Sequence, residues 1–103
     1  MEMKNRAAIV TGSSSVVGIG AEIAKLIAEK GCNVLINYVK NLEGAEETVA
    51  ACREHGVDSF AVQGDVSKDI DCREMVKAAI DRWGRLDILV NNAAVTKLSL
   101  IHI

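Results

Sequence analysis

The sequence predicts an α/β protein with a doubly wound parallel sheet, in the order β-α-β-α-β-α-β. Short aliphatic runs alternate with longer amphipathic stretches, and one such pair recurs roughly every 25 residues, the length of a strand-helix unit. The 103 residues are half apolar and a quarter charged, contain no Pro and carry a net charge of -2. This composition is typical of a single globular domain.

Four short runs predict the strands. Each is aliphatic on consecutive residues, as expected for parallel strands that are covered on both faces. The runs are Ala7–Val10, Val34–Ile36, Ser59–Val62 and Asp87–Val90.

The three stretches between these runs predict helices, because apolar residues recur at positions i, i+3 and i+4. The predicted buried faces are Ile19, Ile23, Leu26 and Ile27 in the first helix, Leu42, Ala45, Val49 and Cys52 in the second, and Cys72, Met75, Val76, Ala79, Ile80 and Trp83 in the third. Gly31, Gly56 and Gly84 are expected to end these helices in a left-handed conformation. Ser67 is the predicted N-cap of the third helix, with acidic residues in its first turn.

Charge, cysteine and histidine content exclude several classes of function. The 12 basic residues lie among 14 acidic ones and form no basic stripe, so a nucleic-acid partner is not predicted. The first apolar run is too short for a signal peptide or a membrane span, and three cysteines without a CxxC motif predict reduced thiols. We therefore expect a cytoplasmic protein that binds no membrane. His55 and His102 lack companion ligands, so no metal site is predicted.

A glycine-rich turn, TGSSSVVGIG at residues 11–20, lies between the first predicted strand and the first predicted helix. Glycine allows a sharp turn and a close approach of the backbone to a ligand. The free N–H groups at the start of the helix attract an anion such as a pyrophosphate. At this place in a βαβ series the turn predicts a dinucleotide site. No Gly-Lys-Ser/Thr follows, so it is not a Walker loop.

This turn resembles the T-G-x-x-x-G-x-G motif of the short-chain dehydrogenase/reductases, with two extra residues around Val16-Val17. These residues are expected either to bulge outward or to crowd the pyrophosphate. The sequence GDVS at 64–67 follows the third strand as in that family, and DILVNNAA at 87–94 resembles its D-x-L-V-N-N-A-G run, with Ala94 in place of Gly. The resemblance covers about residues 5 to 97 and is closest in general character to 3-oxoacyl-acyl-carrier-protein reductases.

The resemblance implies the N-terminal half of a Rossmann-type NAD(P)-binding domain over residues 1–97, with strand order 3-2-1-4. It also implies hydride transfer between a nicotinamide and a carbonyl or alcohol substrate. Asp65 and the Val66 backbone would hold the adenine ring, and Asn91 and Ala93 would line the adenosine. The complete set of implied cofactor-binding residues is Gly12, Ser14, Gly18, Ile19, Gly20, Tyr38, Lys40, Asp65, Val66, Asn91 and Ala93.

The end of the second strand predicts NADP in preference to NAD. NAD-binding proteins of this architecture place an acidic residue there to bind the ribose 2′-OH. Here Tyr38 takes that position, and the first carboxylate after it is Glu43. Lys40 is close enough in sequence to attract a 2′-phosphate, and the alternative is that it is only a solvated loop charge.

The Ser, Tyr and Lys by which the family catalyses its reaction are not found here. Tyr38 is the only Tyr, and Leu42 stands where the family has Lys. Residues 98–103 are apolar and unlike the family, so we expect a chain truncated after the fourth strand. Three interpretations stay open: the cofactor part of an NADP-dependent reductase, a non-catalytic nucleotide-binding module, or a truncated chain that pairs, through an open sheet edge, with itself or with full-length family subunits.

Overall fold

The parallel sheet forms where the aliphatic runs predict it. The computed structural model describes residues 3–12 and 19–91. Its elements are β1 (Ala7–Thr11), α1 (Ile19–Glu29), β2 (Asn33–Tyr38), α2 (Leu42–Arg53), β3 (Ser59–Gln63), α3 (Asp69–Trp83) and β4 (Ile88–Asn91). All pairings are parallel and the strand order is β3-β2-β1-β4, which confirms the predicted fold and topology.

The helices divide between the two faces of the sheet, and each face has its own core. Ala8 and Val10 of β1 point to the face covered by α1 and α2, whose core includes Ala24 and Cys52. Ile9, between them, points to the face covered by α3, where Met75 is buried. Because both faces are covered, every residue of β1 is buried. This explains why β1 is uniformly apolar up to its last residue.

The predicted buried faces of the helices are partly wrong. Ala24 and Ala28 are the fully buried residues of α1, and Ile23 and Ile27 pack against the same core as predicted, whereas the larger Leu26 is 57% exposed. Small side chains at positions i and i+4 let the helix backbone approach the strands closely, which leaves Leu26 on the outer side. Leu42 and Ile80 are also exposed rather than buried.

The predicted helix ends are right at the glycines and wrong at Ser67. Gly31, Gly56 and Gly84 all have positive φ angles after the helices they end. At Gly31 an added Cβ would lie 3.2 Å from Cα of Lys4, so both conformation and space favour glycine there. The N-cap residue of α3 is Lys68, whose side chain makes no cap hydrogen bond. Ser67 does not cap the helix, because its hydroxyl donates to Asp65.

Charged side chains join the elements at the amino ends of the strands. Asp58, just before β3, accepts hydrogen bonds from Arg82 Nε at 2.7 Å and from Trp83 Nε1 at 2.8 Å. Asp87, just before β4, accepts from the Ala7 amide and from Arg85. These bonds hold the pKa values of both carboxyl groups below their usual range.

The three cysteines are free and buried. Burial raises the pKa of the Cys32 thiol to about 12, so this group stays protonated near neutral pH. In the described part of the chain, no helix combines the length and the apolar character needed to cross a membrane.

Candidate nucleotide-binding site

The predicted site residues that the structure describes gather at the carboxyl edge of the sheet. The register places Thr11 of β1 beside Asn91 of β4, and Tyr38 of β2 beside Gln63 of β3. The loops that follow these strands therefore leave the sheet at the same edge. In doubly wound sheets ligands bind in the crevice at this edge, where the strand order reverses. Here the reversal lies between β1 and β4.

The glycine-rich turn begins at this edge and leads into α1. Gly12 directly follows β1 and has φ +65°, a conformation that favours glycine. α1 begins at Ile19 and buries Gly20 in its first turn, so the N-terminal end of this helix faces the same edge. Ser14, Gly18 and the Val16-Val17 insertion lie outside the described residues.

Thr11 orients Asn91 across the point of reversal. Thr11 is fully buried, and its Oγ1 lies 3.1 Å from Asn91 Oδ1 and 3.4 Å from the Val90 carbonyl oxygen. A buried hydroxyl needs such partners to offset its desolvation. The hydroxyl ties β1 to β4 where the cofactor is expected. The sequence prediction assigned Thr11 no role, although a Thr at the end of a buried apolar strand is a usable signal. Ala93 lies outside the described residues.

The loop after β3 holds the Asp65 carboxylate in one orientation. Asp65 Oδ1 accepts hydrogen bonds from the Ser67 hydroxyl at 2.7 Å and from the Ser67 amide at 2.9 Å. These bonds lower the pKa of Asp65 and keep it ionised. Asp71 Oδ2 accepts from the Asp65 amide at 2.8 Å and fixes the backbone of the loop. The sequence prediction gave Asp71 only an interaction with the helix dipole.

Val66 anchors this loop in the core below it. Its side chain is 7% exposed and belongs to the core on the α3 side. Its carbonyl oxygen accepts a hydrogen bond from the Cys72 thiol at 3.3 Å. Among the described residues, none accepts a hydrogen bond from the Val66 amide. This N–H group directly follows Asp65 in the chain.

Asn37 is a second residue that the sequence prediction missed. It is 2% exposed, and its Nδ2 lies 2.9 Å from the Gly64 carbonyl oxygen. The Val62 and Tyr38 carbonyl oxygens are within 3.4 and 3.5 Å of the same nitrogen. The signal was present, because an Asn ends the otherwise apolar run of β2.

A cleft of about 370 Å³ opens between the ends of β2 and β3. It is lined by Val39, Gln63, Gly64, Asp65, Lys68 and Asp71. Tyr38, at the end of β2, is half-buried and packs against the core on the α1 and α2 side. Lys40 is exposed and makes no ion pair with any residue in 3–12 or 19–91. The cleft thus presents the apolar side chain of Val39, the oriented Asp65 carboxylate and the cationic side chain of Lys68, and Lys40 directly follows Val39 in the chain.

These features together are those of the oxidoreductases that bind nicotinamide dinucleotides in a Rossmann-type sheet. A sequence model of the short chain dehydrogenase family matches residues 6–102, and the chain belongs to this family. The resemblance found in the glycine-rich turn and in the segments after β3 and at β4 is therefore confirmed.

The chain covers a small part of some relatives in this family and most of another. The chain is 43% identical over 97 residues to the 3-oxoacyl-acyl-carrier-protein reductase FabG of Staphylococcus epidermidis, which is 94% of this chain and 39% of that protein. It thus spans about two fifths of the reductases that it matches. It is also 40% identical to the short-chain dehydrogenase/reductase homolog YusS of Bacillus subtilis, of which it covers 87%.

Solved structures of the family share the fold. A short chain dehydrogenase from Burkholderia cenocepacia, solved in complex with NADP, superposes with a TM-score of 0.83 at 37% sequence identity. The superposition covers 92% of this chain and 38% of that one. The likeness confirms the Rossmann-type topology of the four strands.

Proposed function

We propose that this chain binds NADP and is the cofactor-binding part of an oxidoreductase that transfers hydride between the nicotinamide and a carbonyl or alcohol substrate. The observation that carries the proposal is the end of β2, where Tyr38 replaces the acidic residue of NAD-binding proteins and an exposed Lys40 follows. Family membership supports the class of cofactor, and the Burkholderia cenocepacia relative was solved with NADP.

The adenine ring is proposed to lie in the cleft between β2 and β3. Asp65 accepts a hydrogen bond from the exocyclic amino group of the ring, and the Val66 amide donates to a ring nitrogen. The Ser67 bonds support this role, because they hold Asp65 ionised in one orientation before the ligand arrives. Val39, which is 49% exposed, supplies apolar surface for the ring.

Lys40 is proposed to bind the 2′-phosphate that distinguishes NADP from NAD. A carboxylate at position 38 would repel this phosphate, and Tyr38 removes that repulsion. Lys40 adds attraction, and within the described residues no acidic side chain pairs with it. The absence of a carboxylate at position 38 and the presence of Lys40 both favour NADP over NAD.

The pyrophosphate is proposed to lie on the turn formed by Gly12, Ser14, Gly18, Ile19 and Gly20.

Binding and turnover are separable in this chain. The bound nicotinamide supplies or accepts the hydride, whereas in this family a Tyr and a Lys four residues later move the proton. Residues 1–103 contain no Tyr-x-x-x-Lys. The 103-residue polypeptide is therefore proposed to bind NADPH without turning over a substrate, which is also what a non-catalytic nucleotide-binding module would do. We also propose a cytoplasmic location, which the three free cysteines support.

Titration calorimetry of the folded chain with NADPH and NADH tests the proposal. We expect tighter binding of NADPH, and Tyr38→Asp or Lys40→Glu should shift the NADPH to NADH affinity ratio toward NADH by about tenfold to a hundredfold. Lys30→Glu is the matched control, since it reverses an exposed charge at the opposite end of the sheet and should leave the ratio unchanged. A wild-type chain that is folded and binds neither nucleotide, or prefers NADH, contradicts the proposal.

A further inference from the structure

Asn37 is a buried amide in a position that otherwise calls for an apolar residue. The four residues from Val34 to Asn37 are buried in the middle of β2, and the three before Asn37 are aliphatic. Burying a polar side chain is unfavourable unless its hydrogen bonds are made. Asn37 Nδ2 donates a hydrogen bond, at 2.9 Å, to the carbonyl oxygen of Gly64 in the loop after β3.

The Gly64 to Asp65 segment is thereby held from three directions. Asn37 donates to the Gly64 carbonyl oxygen, the Gly64 amide donates to the Tyr38 carbonyl oxygen at 2.9 Å, and the Asp71 carboxylate accepts from the Asp65 amide. An added Cβ at Gly64 would be in ordinary van der Waals contact with Asp71 Cβ at 3.5 Å and with Asn37 Nδ2 at 3.6 Å, so Gly64 lies against both of these residues. The position of Asp65 therefore depends on these contacts.

We propose that Asn37 is a positioning residue for nucleotide recognition, acting through Gly64 to hold Asp65 and Val66 in place against the adenine ring. The inference rests on the proposed function of the cleft. Asn37 does not line the cleft, so it is expected to act without touching the ligand. The adjoining backbone of Tyr38 is bonded to the same loop, which links the two sides of the cleft.

This role predicts a pattern of affinities that differs from that of Lys40. AMP, NADH and NADPH share the adenosine group and differ in phosphate and nicotinamide. Asn37→Leu keeps the size of the side chain and removes its donors, so the Gly64 carbonyl loses its buried partner. We expect all three ligands to bind about tenfold more weakly, with the NADPH to NADH ratio unchanged.

A matched control is available on the same pair of strands. Ser59 Oγ donates to the Val34 carbonyl oxygen at 2.8 Å, and both residues are fully buried at the amino ends of β3 and β2. Ser59→Ala therefore removes a buried bond between the same strands, but far from the cleft. We expect it to lower the stability of the chain and to leave the Kd of AMP, measured per folded molecule, unchanged.

A double-substitution cycle with Asp65→Ala separates positioning from general destabilisation. If Asn37 acts through Asp65, Asn37→Leu should weaken AMP binding much less in the Asp65→Ala background than in the wild type. Additive effects, or a loss of affinity in Ser59→Ala equal to that in Asn37→Leu, would overturn the inference.

Hydrogen exchange of the Asp65 amide provides a readout that needs no ligand. Asn37→Leu should accelerate this exchange more than Ser59→Ala does, when both are compared at equal global stability. If the wild type binds no nucleotide, the proposed function fails and so does the role of Asn37 in recognition, while accelerated exchange would still show that Asn37 holds the loop. If the wild type binds and Asn37→Leu changes neither affinity nor exchange, only the inference about Asn37 fails.

Discussion

The two ends of the sheet use polar side chains in different ways. At the amino ends of the strands, Asp58 and Asp87 bond to Arg82, Trp83 and Arg85, so that charges pair with charges and helices are joined to strands. At the carboxyl ends, Asn37 and Thr11 bond to a backbone carbonyl and a neighbouring amide side chain.

This difference indicates that the amino ends of the strands contribute to stability and that the carboxyl ends contribute to ligand recognition. The bonds at the amino ends pair side chains with one another and, at Asp87, with the Ala7 amide of β1. The bonds at the carboxyl ends hold loops that carry the groups proposed to bind the ligand, such as the Val66 amide and the Asp65 carboxylate, and Asp65 lines the cleft. We therefore expect substitutions at the amino ends to change folding, and substitutions at the carboxyl ends to change nucleotide binding.

The largest expected effect is at the carboxyl ends. Asp65→Ala removes the carboxylate proposed to accept from the adenine amino group, and NADPH affinity should fall by about tenfold to a hundredfold. The unfolding midpoint in urea should hardly change, because Asp65 is bonded mainly to the exposed Ser67 beside it. Titration calorimetry and urea denaturation of the same sample measure both quantities. Equal affinities for wild type and variant would remove Asp65 from the site.

The reverse pattern is expected at the amino ends. Asp58→Ala leaves Arg82 and Trp83 without their shared acceptor, and the free energy of unfolding should fall by about 1–2 kcal/mol. This figure is already reduced for solvent screening, since 38% of the Asp58 side chain is exposed. NADPH affinity per folded molecule should stay within about twofold of the wild type. A large loss of affinity without a loss of stability would abolish the contrast between the two ends.

A smaller effect is expected in acid. The pKa values of Asp58 and Asp87 are lowered in the folded state, above all by the hydrogen bonds from Arg82 and Arg85 respectively. As the pH falls, these two carboxylates therefore bind protons in the unfolded state before they do so in the folded state. Their contribution to the free energy of unfolding is present above about pH 4 and is lost below it. The expected loss is less than about 1 kcal/mol for each exposed pair. Urea denaturation between pH 5 and pH 3 should show a shallower dependence for Asp58→Asn; an unchanged dependence would contradict this assignment.

The sequence allowed the fold and the outline of the site to be predicted, because both depend on local pattern and on the order of motifs. Consecutive aliphatic residues identified each strand, and the glycines after the helices had the expected left-handed conformation. The placement of Leu26 failed for a physical reason: side-chain size suggested burial, whereas close packing of α1 on the sheet required Ala24 and Ala28.

The residues missed at the site depend on contacts that are distant in sequence. Asn37 bonds to Gly64, 27 positions along the chain, and Thr11 bonds to Asn91, 80 positions along. No local pattern specifies such a partner. Ser67 illustrates the opposite error, because a serine before a helix suggested an N-cap, while its hydroxyl had a closer acceptor in Asp65. NADP preference and the adenine contacts remain predictions for the titrations above.

The order β3-β2-β1-β4 has a consequence for how the chain folds. The bonds that join β2 to β3 connect residues 25 apart, whereas the Ala7 to Asp87 bond that brings β4 to β1 connects residues 80 apart. Closing the longer loop costs about 1 kcal/mol more in chain entropy, and distant pairings form more slowly than near ones. We therefore expect the crevice beside Thr11 and Asn91 to be the last part of the sheet to assemble. A dinucleotide bound across it would stabilise the pairing that the chain itself closes least readily.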